Sequence, residues 1–253
     1  MWSKNKLKNF LSKVKIKEDY IIIHSDVVGL VFPNFTLEEL WNIIFESFGK
    51  NKTYIFPTFS FNDRSKKNWN YNYTKSDAGV LSEYFRKKIS VLRSVHPIHS
   101  VAIYGKNFLK IPIKHCSSSF GKNSFWEWAC NNKNVCNISL GLKLNGGATF
   151  VHYSEEHCKV PYRKYIRINP QVKNQKNYII KKKYKYFARN SDKIINDWEK
   201  VQEILIKNNL IKIYKSENPK YNILKMNTSK VSSFLIDNVK KNPIFLLKNL
   251  SVK

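Results

Sequence analysis

The sequence predicts an α/β fold, with a layered central sheet that is largely parallel, helices on its faces, and a small additional strand segment near the C-terminal third. Short β-branched and apolar runs, typical of buried strands, alternate with amphipathic segments of helical period. Their spacing is that of strand–helix–strand units. Hydrophobic residues make up 42% of the 253 residues, which is enough to bury a core. Because we find no internal repeat and no linker, we assign residues 1–253 to a single domain.

The N-terminal elements follow this alternation. Residues 7–14 place apolar side chains at helical spacing and predict a first helix. The β-branched run at 20–23 predicts a buried strand. A helix over 36–48 begins with a Thr–Glu capping box, and residues 53–56 predict a second strand.

A polar and aromatic segment, 59–77, comes next and predicts a long loop. Loops of this length inside a compact domain are usually functional. Residues 79–88 predict another helix, and residues 101–104 and 135–140 predict two further strands.

The C-terminal third has a different composition. Residues 160–189 contain no acidic residue and interleave Tyr with Lys and Arg, and 179–186 predicts a hairpin strand. Helices are predicted over 192–207 and 231–249, the second of them broken near Pro243.

The first two predicted strands end in polar residues. These are His24, Ser25 and Asp26 after one strand and Thr58 after the other. Ligands of α/β sheets bind beyond the carboxyl ends of the strands. We therefore expect a binding site there.

The chain is strongly basic, with 45 Lys and Arg, 18 Asp and Glu, and a formal net charge of +27. Such a charge attracts anions: nucleic acid, a phosphorylated ligand or an anionic membrane surface. Interleaved Lys and Tyr over 181–186, with Trp69, Tyr71 and Tyr73, make a nucleic-acid-binding protein the alternative of another class. No recognised nucleic-acid-binding motif occurs, however. Lysines spread over a solvated surface would carry the same charge without a ligand.

The sequence predicts a cytoplasmic protein without a metal. No apolar run approaches the roughly 20 residues of a membrane-spanning helix, and no secretory signal is present. The four cysteines do not form a disulfide framework. Buried thiols are expected; a zinc site is the alternative, and its ligands would be His115, Cys116, His157 and Cys158.

Three segments are rich in histidine: 93–100, 115–121 and 152–157. Imidazole titrates near neutral pH, so these segments favour acid–base chemistry. Hydrogen bonding or capping by the same histidines is the simpler interpretation of each one alone.

Seven segments together carry a resemblance to one family. They are IIIHSDVVGL (21–30), FPTFS (56–60), GVLSEYFRK (79–87), RSVHPIHSVAIYGK (93–106), KHCSSSFGKNS (114–124), ISLGL (138–142) and TFVHYSEEHCKVPYR (149–163). In order and content they resemble the aminoglycoside 3-N-acetyltransferases and their relatives, over about residues 3–165.

The resemblance implies acyl transfer from acetyl-CoA to a primary amine. A neutral imidazole oriented by a carboxylate would take a proton from the nitrogen as it attacks. On the family pattern His115 is the expected base, Glu155 its carboxylate and His152 an assisting residue. Cys116, beside the expected base, leaves an acyl-cysteine intermediate as the alternative to direct transfer.

The resemblance also implies contacts for both substrates. The residues expected to bind acetyl-CoA are His24, Ser25, Asp26, Arg93, Ser94, His96, His99 and Ser100. Those expected to bind the acceptor are Thr58, Asp63, Thr149 and Glu156. The hydroxyls of Ser100 and Thr149 and the backbone near Ser25 are candidate donors to the oxyanion, and Arg93 is a candidate for the phosphates.

The charge of this sequence differs from the family pattern. Asp26 stands where relatives usually carry Ser, and a net charge of +27 would repel a polycationic aminoglycoside. We therefore expect a nucleotide-linked amino sugar of surface-polysaccharide biosynthesis as acceptor, its phosphates meeting residues 159–189. A free aminoglycoside, as in antibiotic resistance, is the alternative. No nucleic-acid partner is expected, and a homodimer is left open.

Overall fold

The computed structural model describes residues 2–27, 35–61, 68–113 and 117–248. Its strands are β1 (Tyr20–Ser25), β2 (Thr53–Pro57), β3 (Asn68–Asn70), β4 (Leu92–Arg93), β5 (Val101–Gly105), β6 (Val135–Leu140), β7 (Arg163–Ile168), β8 (Gln171–Lys173), β9 (Ile179–Ile180), β10 (Tyr184–Arg189), β11 (Ile211–Tyr214) and β12 (Ile223–Asn227). Its helices are α1 (Lys4–Ser12), α2 (Leu37–Phe48), α3 (Val80–Lys88), α4 (Phe125–Asn131), the kinked turn α5 (Leu144–Gly147), α6 (His152–His157), α7 (Trp198–Lys207) and α8 (Thr228–Lys241). Single 3₁₀ turns lie at Phe108–Lys110, Thr149–Val151 and Pro219–Tyr221.

The main sheet has seven strands in the order β11-β12-β6-β1-β2-β5-β4. At its centre β6, β1 and β2 are parallel neighbours. The outer pairings are antiparallel, so that β12 and β5 run against the other five strands. The predicted α/β fold with a largely parallel sheet is confirmed.

Two layers of helices cover this sheet, and the alternation of side chains along β1 explains why. Ile21 and Ile23 face the layer formed by α1, α2 and α3, whereas Ile22 faces the layer that includes α4, α6 and α8. Successive side chains of a strand point to opposite faces, and all three isoleucines are fully buried. The part of β1 that is covered on both faces, 20–23, is therefore apolar, as the sequence pattern indicated.

Two small sheets lie beside the main one. β7 and β10 form an antiparallel ribbon, and β3, β8 and β9 form a three-stranded sheet. They are the additional strand segment predicted for the C-terminal third. The predicted loop 59–77 contributes β3 to the second of them.

The two C-terminal helices are shorter than predicted. Helix α7 begins at Trp198 because the Asp197 carboxylate caps it, accepting a hydrogen bond from the backbone N–H of Lys200 at 3.2 Å. The residues before it pair instead with a later segment: the N–H of Asp197 donates to the carbonyl of Leu246 (2.8 Å), and the N–H of Lys248 donates to that of Ile195 (3.0 Å). We call this pairing the C-terminal tether. Helix α8 ends at Lys241, before the proline at which a break was predicted.

Strands β11 and β12 were not predicted. They extend the sheet beyond β6 through antiparallel pairings. Within the described residues, none of the helices combines the length and apolarity needed to cross a membrane.

Candidate active site

A cleft of about 740 Å³ opens at the carboxyl ends of the central parallel strands. His24 and Ser25 at the end of β1 line it, and so do Pro57 at the end of β2 and Leu142 shortly after β6. This is the position at which a ligand site was expected from the sequence. Asp26 also lines the cleft, as does Thr149.

A histidine and a carboxylate on α6 form the reactive pair of this cleft. Nδ1 of His152 lies 2.5 Å from Oε2 of Glu155, three residues later on the same helix face. Glu155 is buried, whereas one third of the His152 side chain is exposed. Because Nδ1 is committed to Glu155, Nε2 is the nitrogen that can accept a proton from a molecule in the cleft.

Residues from outside α6 complete the environment of Glu155. The Tyr162 hydroxyl donates to Oε1 at 2.9 Å, and the Asn196 amide donates to the same oxygen at 3.0 Å. Nη2 of Arg163 lies 2.9 Å from Oε2. Burial alone would raise the pKa of Glu155, but His152, Arg163 and Asn196 outweigh burial and lower this pKa to about 2. The carboxylate is therefore ionised at neutral pH.

Two aromatic rings flank the imidazole of His152. Trp198, the first residue of α7, contacts it edge-on with ring centroids 5.4 Å apart. Phe120 lies at 6.0 Å, and both aromatic residues line the cleft. The imidazole is thus held by packing as well as by its carboxylate.

A second histidine contacts the residue that precedes this pair. Nε2 of His24 lies 3.0 Å from Oγ1 of Thr149. Burial lowers the pKa of His24 to about 4, so its imidazole is neutral at physiological pH. Thr149 is half-buried and precedes His152 by one helical turn.

His99 also lines the cleft. Its Nδ1 lies 2.6 Å from Oγ of Ser119, and its ring packs against Phe59 and Phe120 with centroids 5.0 and 5.2 Å away. Of the eight residues predicted to bind acetyl-CoA, four therefore line the cleft: His24, Ser25, Asp26 and His99.

Arg93 is placed differently from the prediction. It is 2% exposed and lies outside the cleft lining. Its guanidinium donates to the backbone carbonyls of Thr58 (3.2 Å), Tyr71 (3.0 Å) and Thr74 (2.7 Å) and stacks on Trp69 at 4.8 Å. Burial lowers its pKa to about 9, which still leaves it charged at neutral pH. It binds the loop after β2, and in this position it does not reach a phosphate in the cleft.

The other predicted residues of this block are buried behind the cleft wall. Ser94 accepts a hydrogen bond from the N–H of Val101 at 2.8 Å. Nδ1 of His96 accepts from the N–H of His99 at 3.0 Å. The hydroxyls of Thr58 and Ser100 lie 2.9 Å apart. Their positions support a structural role in the turn that carries His99.

Glu156 is buried and also lies outside the lining, with its carboxylate turned toward the hydroxyls of Ser118 and Tyr165. Burial raises its pKa. The positions of His115 and Asp63, predicted as base and acceptor contact, fall outside the described residues, as does that of Cys116. Among the residues that are described, no group of metal-ligating side chains is found.

Five residues around the reactive pair were not predicted: Phe120, Tyr162, Arg163, Asn196 and Trp198. The first three stand in the segments 114–124 and 149–163 that carried the resemblance, so a signal existed for them. The other two come from the part of the chain after residue 165, where no motif pointed to them.

Comparison with solved structures shows the same fold in other proteins, aminoglycoside acetyltransferases among them. The YokD protein from Bacillus subtilis is 19% identical, with a TM-score of 0.77 over 95% of this chain and 100% of that one. The apoenzyme of aminoglycoside acetyltransferase AAC(3)-IVa is 18% identical, with a TM-score of 0.74 over 98% and 92%. A binary complex of AAC-IIIb with CoASH is 13% identical, with a TM-score of 0.77 over 95% and 97%.

At the level of sequence, no curated protein matches the chain. The sequence profile of the aminoglycoside 3-N-acetyltransferases does match, over residues 22–231. This span contains both the reactive pair on α6 and the strand ends that line the cleft. The chain therefore belongs to the aminoglycoside 3-N-acetyltransferase family, and it is an acetyl-CoA-dependent N-acetyltransferase.

Proposed function

We propose that this enzyme acetylates a primary amine of an amino sugar by direct transfer, with His152 as general base and Glu155 as the carboxylate that orients it. The observation that carries this proposal is the 2.5 Å contact between Nδ1 of His152 and Oε2 of Glu155 at the wall of the cleft. A base must lie within reach of the proton it abstracts, and the partly exposed imidazole of His152 meets that condition.

The reaction proceeds through a tetrahedral intermediate. The Nδ1–H group of neutral His152 donates a hydrogen bond to Glu155. Nε2 therefore presents its lone pair to the amine. As nitrogen attacks the thioester carbonyl, the C–N bond forms and one N–H proton passes to Nε2. The C–S bond then breaks, and the imidazolium returns the proton to the leaving thiolate. Ionised Glu155 stabilises the imidazolium between these steps.

This assignment moves the base from His115, where the resemblance placed it, to His152. The reason is the pairing of Glu155: the carboxylate expected to orient the base contacts His152 directly. Direct transfer needs no nucleophilic cysteine, and the thiols of Cys130 and Cys136 are buried with their pKa values raised by burial.

Two acceptors remain in contention, and the charges of the cleft bear on them. Asp26 and Asp77 place carboxylates in the lining, which suits the ammonium groups of a free aminoglycoside. Family membership favours the same acceptor. Arg163 offers little positive charge to a ligand because Glu155 neutralises it.

The second candidate is the nucleotide-linked amino sugar. It is favoured by the basic ribbon, which we define as β7 and β10: Arg189 at its cleft end is followed outward by Lys185, which is paired across the strands with Arg167. A phosphate at the mouth of the cleft would meet this charge. Steady-state kinetics with kanamycin and with a uridine-diphosphate-linked amino sugar decide between the two, because the ratio of their kcat/KM values reports the preference.

The base is tested by three histidine variants. We expect His152→Ala to lower kcat by about 10²–10⁴-fold, the range of general base catalysis. His157→Ala, on the exposed end of the same helix, serves as the matched control and should retain activity. His115→Ala tests the other candidate base, the one that the family resemblance implies. Full activity of His152→Ala, together with loss in His115→Ala, would overturn the proposal.

A further inference from the structure

The buried side chains of Asn137 and His24 and the half-buried side chain of Thr149 form a row that leads to the cleft. Nε2 of His24 lies 3.0 Å from Oγ1 of Thr149, and the backbone N–H of Thr149 points to the same nitrogen at 3.5 Å. On the other side of the ring lies the side chain of Asn137, which favours the charged form of His24 while burial opposes it.

The backbone contact defines the tautomer of His24. An N–H group can only donate, so Nε2 must accept and the single proton of the neutral ring must reside on Nδ1. Asn137 is oriented to receive that proton, because its amide nitrogen donates to the carbonyl of Gly147 at 2.7 Å and leaves Oδ1 as the remaining atom. Among the described residues, Nδ1 of His24 and Oδ1 of Asn137 are both buried without a hydrogen bond of normal geometry. The first can donate a proton and the second can accept it.

The tautomer in turn defines the direction of the Thr149 hydroxyl. Since Nε2 carries a lone pair, the hydroxyl donates its proton to His24. Only the lone pairs of Oγ1 then remain for a molecule in the cleft. Thr149 in this state cannot donate to an oxyanion, the role suggested by sequence, but it can accept from an N–H group.

We propose that His24 is a positioning residue that holds Thr149 as the hydrogen-bond acceptor for the attacking amine. A neutral primary amine has two N–H bonds and one lone pair. If one N–H is donated to Thr149 and the other to Nε2 of His152, the lone pair is left for the thioester carbon. His152 receives the proton during the reaction, whereas Thr149 only orients the nitrogen. This inference rests on the proposed function, since it assumes His152 as base.

The tautomer is tested without any substrate. In 15N-labelled histidine spectra of the native enzyme, His24, assigned by its absence from the spectrum of His24→Leu, should show a protonated Nδ1 and an unprotonated Nε2. The Thr149→Val substitution should shift the Nε2 signal of His24. A proton on Nε2 overturns the proposal, whatever the acceptor of the enzyme is.

The coupling is tested by a double-mutant cycle with kanamycin or the nucleotide-linked sugar as acceptor. Thr149→Val should lower kcat/KM for the amine about tenfold, as loss of one hydrogen bond does, and leave the KM for acetyl-CoA unaltered. Thr149→Ser should recover most of the loss. His24→Leu should match Thr149→Val, and the double variant should be no worse than either.

The positioning role would be overturned if the kcat/KM losses of the two single variants multiplied in the double variant, because His24 would then act independently of Thr149. A raised KM for acetyl-CoA would overturn it as well. Failure of the proposed function has a different signature. If His152→Ala remained fully active, the base assignment would fail, while the tautomer and the coupling of His24 to Thr149 would still be measurable in the active enzyme.

Discussion

The hydroxyl of Tyr162 lies 2.9 Å from Oε1 of Glu155, so the carboxylate oxygen that does not contact His152 is held from outside α6. Burial and the adjacent carboxylate raise the pKa of Tyr162, which keeps it protonated and donating. Because one oxygen is fixed in this way, the other is directed at Nδ1 of His152. The geometry of the reactive pair thus depends on a residue that never reaches the cleft chemistry.

Removing this donor should weaken catalysis more than folding. We expect Tyr162→Phe to lower kcat about tenfold, equivalent to about 1.4 kcal/mol, with little change in the KM for acetyl-CoA. Tyr178→Phe, at a tyrosine that is largely exposed, is the control. Equal kcat values for Tyr162→Phe and the native enzyme would show that the Asn196 donor suffices to hold Glu155.

Glu155 should also make stability depend on acidity. Its pKa lies near 2 in the folded protein and near 4.5 in its unperturbed state, so ionised Glu155 favours the folded state above about pH 4.5. That contribution is lost as the pH falls from about 4.5 through 2. Urea unfolding across this range should show a steeper decline for the native protein than for Glu155→Gln, with Glu203→Gln, at an exposed glutamate, as control. Parallel declines would mean that other carboxylates determine the acid transition.

Arg93 should prove structural. Arg93→Met removes the guanidinium donor from the carbonyls of Tyr71 and Thr74, whereas the carbonyl of Thr58 keeps the Ser100 hydroxyl as a donor. We expect the protein to lose on the order of 3 kcal/mol of stability. Thermal unfolding measures this loss, and Lys88→Met provides an exposed cation as control. A variant of native stability with a strongly raised KM for acetyl-CoA would restore the phosphate-binding role that the sequence suggested.

The charge of the cleft should decide the acceptor. If the substrate is a free aminoglycoside, Asp26→Asn should lower kcat/KM for kanamycin about tenfold, because an attraction to an ammonium group is lost. If it is nucleotide-linked, Arg189→Gln should lower kcat/KM for that sugar and leave kanamycin unaffected. Kinetics of both variants with both acceptors separate the two cases, and added salt should weaken whichever attraction operates.

Much of the fold could be predicted because the central strands are buried on both faces. The strands β1, β2 and β6 are rich in β-branched and aromatic residues, and such short runs are distinctive. Strands β11 and β12 were missed because lysines interrupt them: Lys212 is exposed and Lys225 is half-buried. A strand of four or five residues with a charged position resembles a loop in sequence.

The site could be predicted only where it depends on residues close together in the sequence. The spacing of His152 and Glu155 places both on one helix face, which is local information. The burial of Arg93 depends on carbonyls from residues 58 to 74, and the contact of Asn196 with Glu155 joins residues 41 positions apart. Such contacts depend on how distant segments pack, which periodicity does not encode.

The C-terminal tether has a consequence for the timing of biosynthesis. Leu246 and Lys248 hold the segment that supplies Asn196 to the buried carboxylate and Trp198 to the imidazole. A nascent chain that lacks these residues would already contain all the described strands of the sheet, but the support of His152 and Glu155 would be incomplete. Acetylation should therefore begin only after residue 248 has left the ribosome, which assays of chains stalled before and after that residue would reveal.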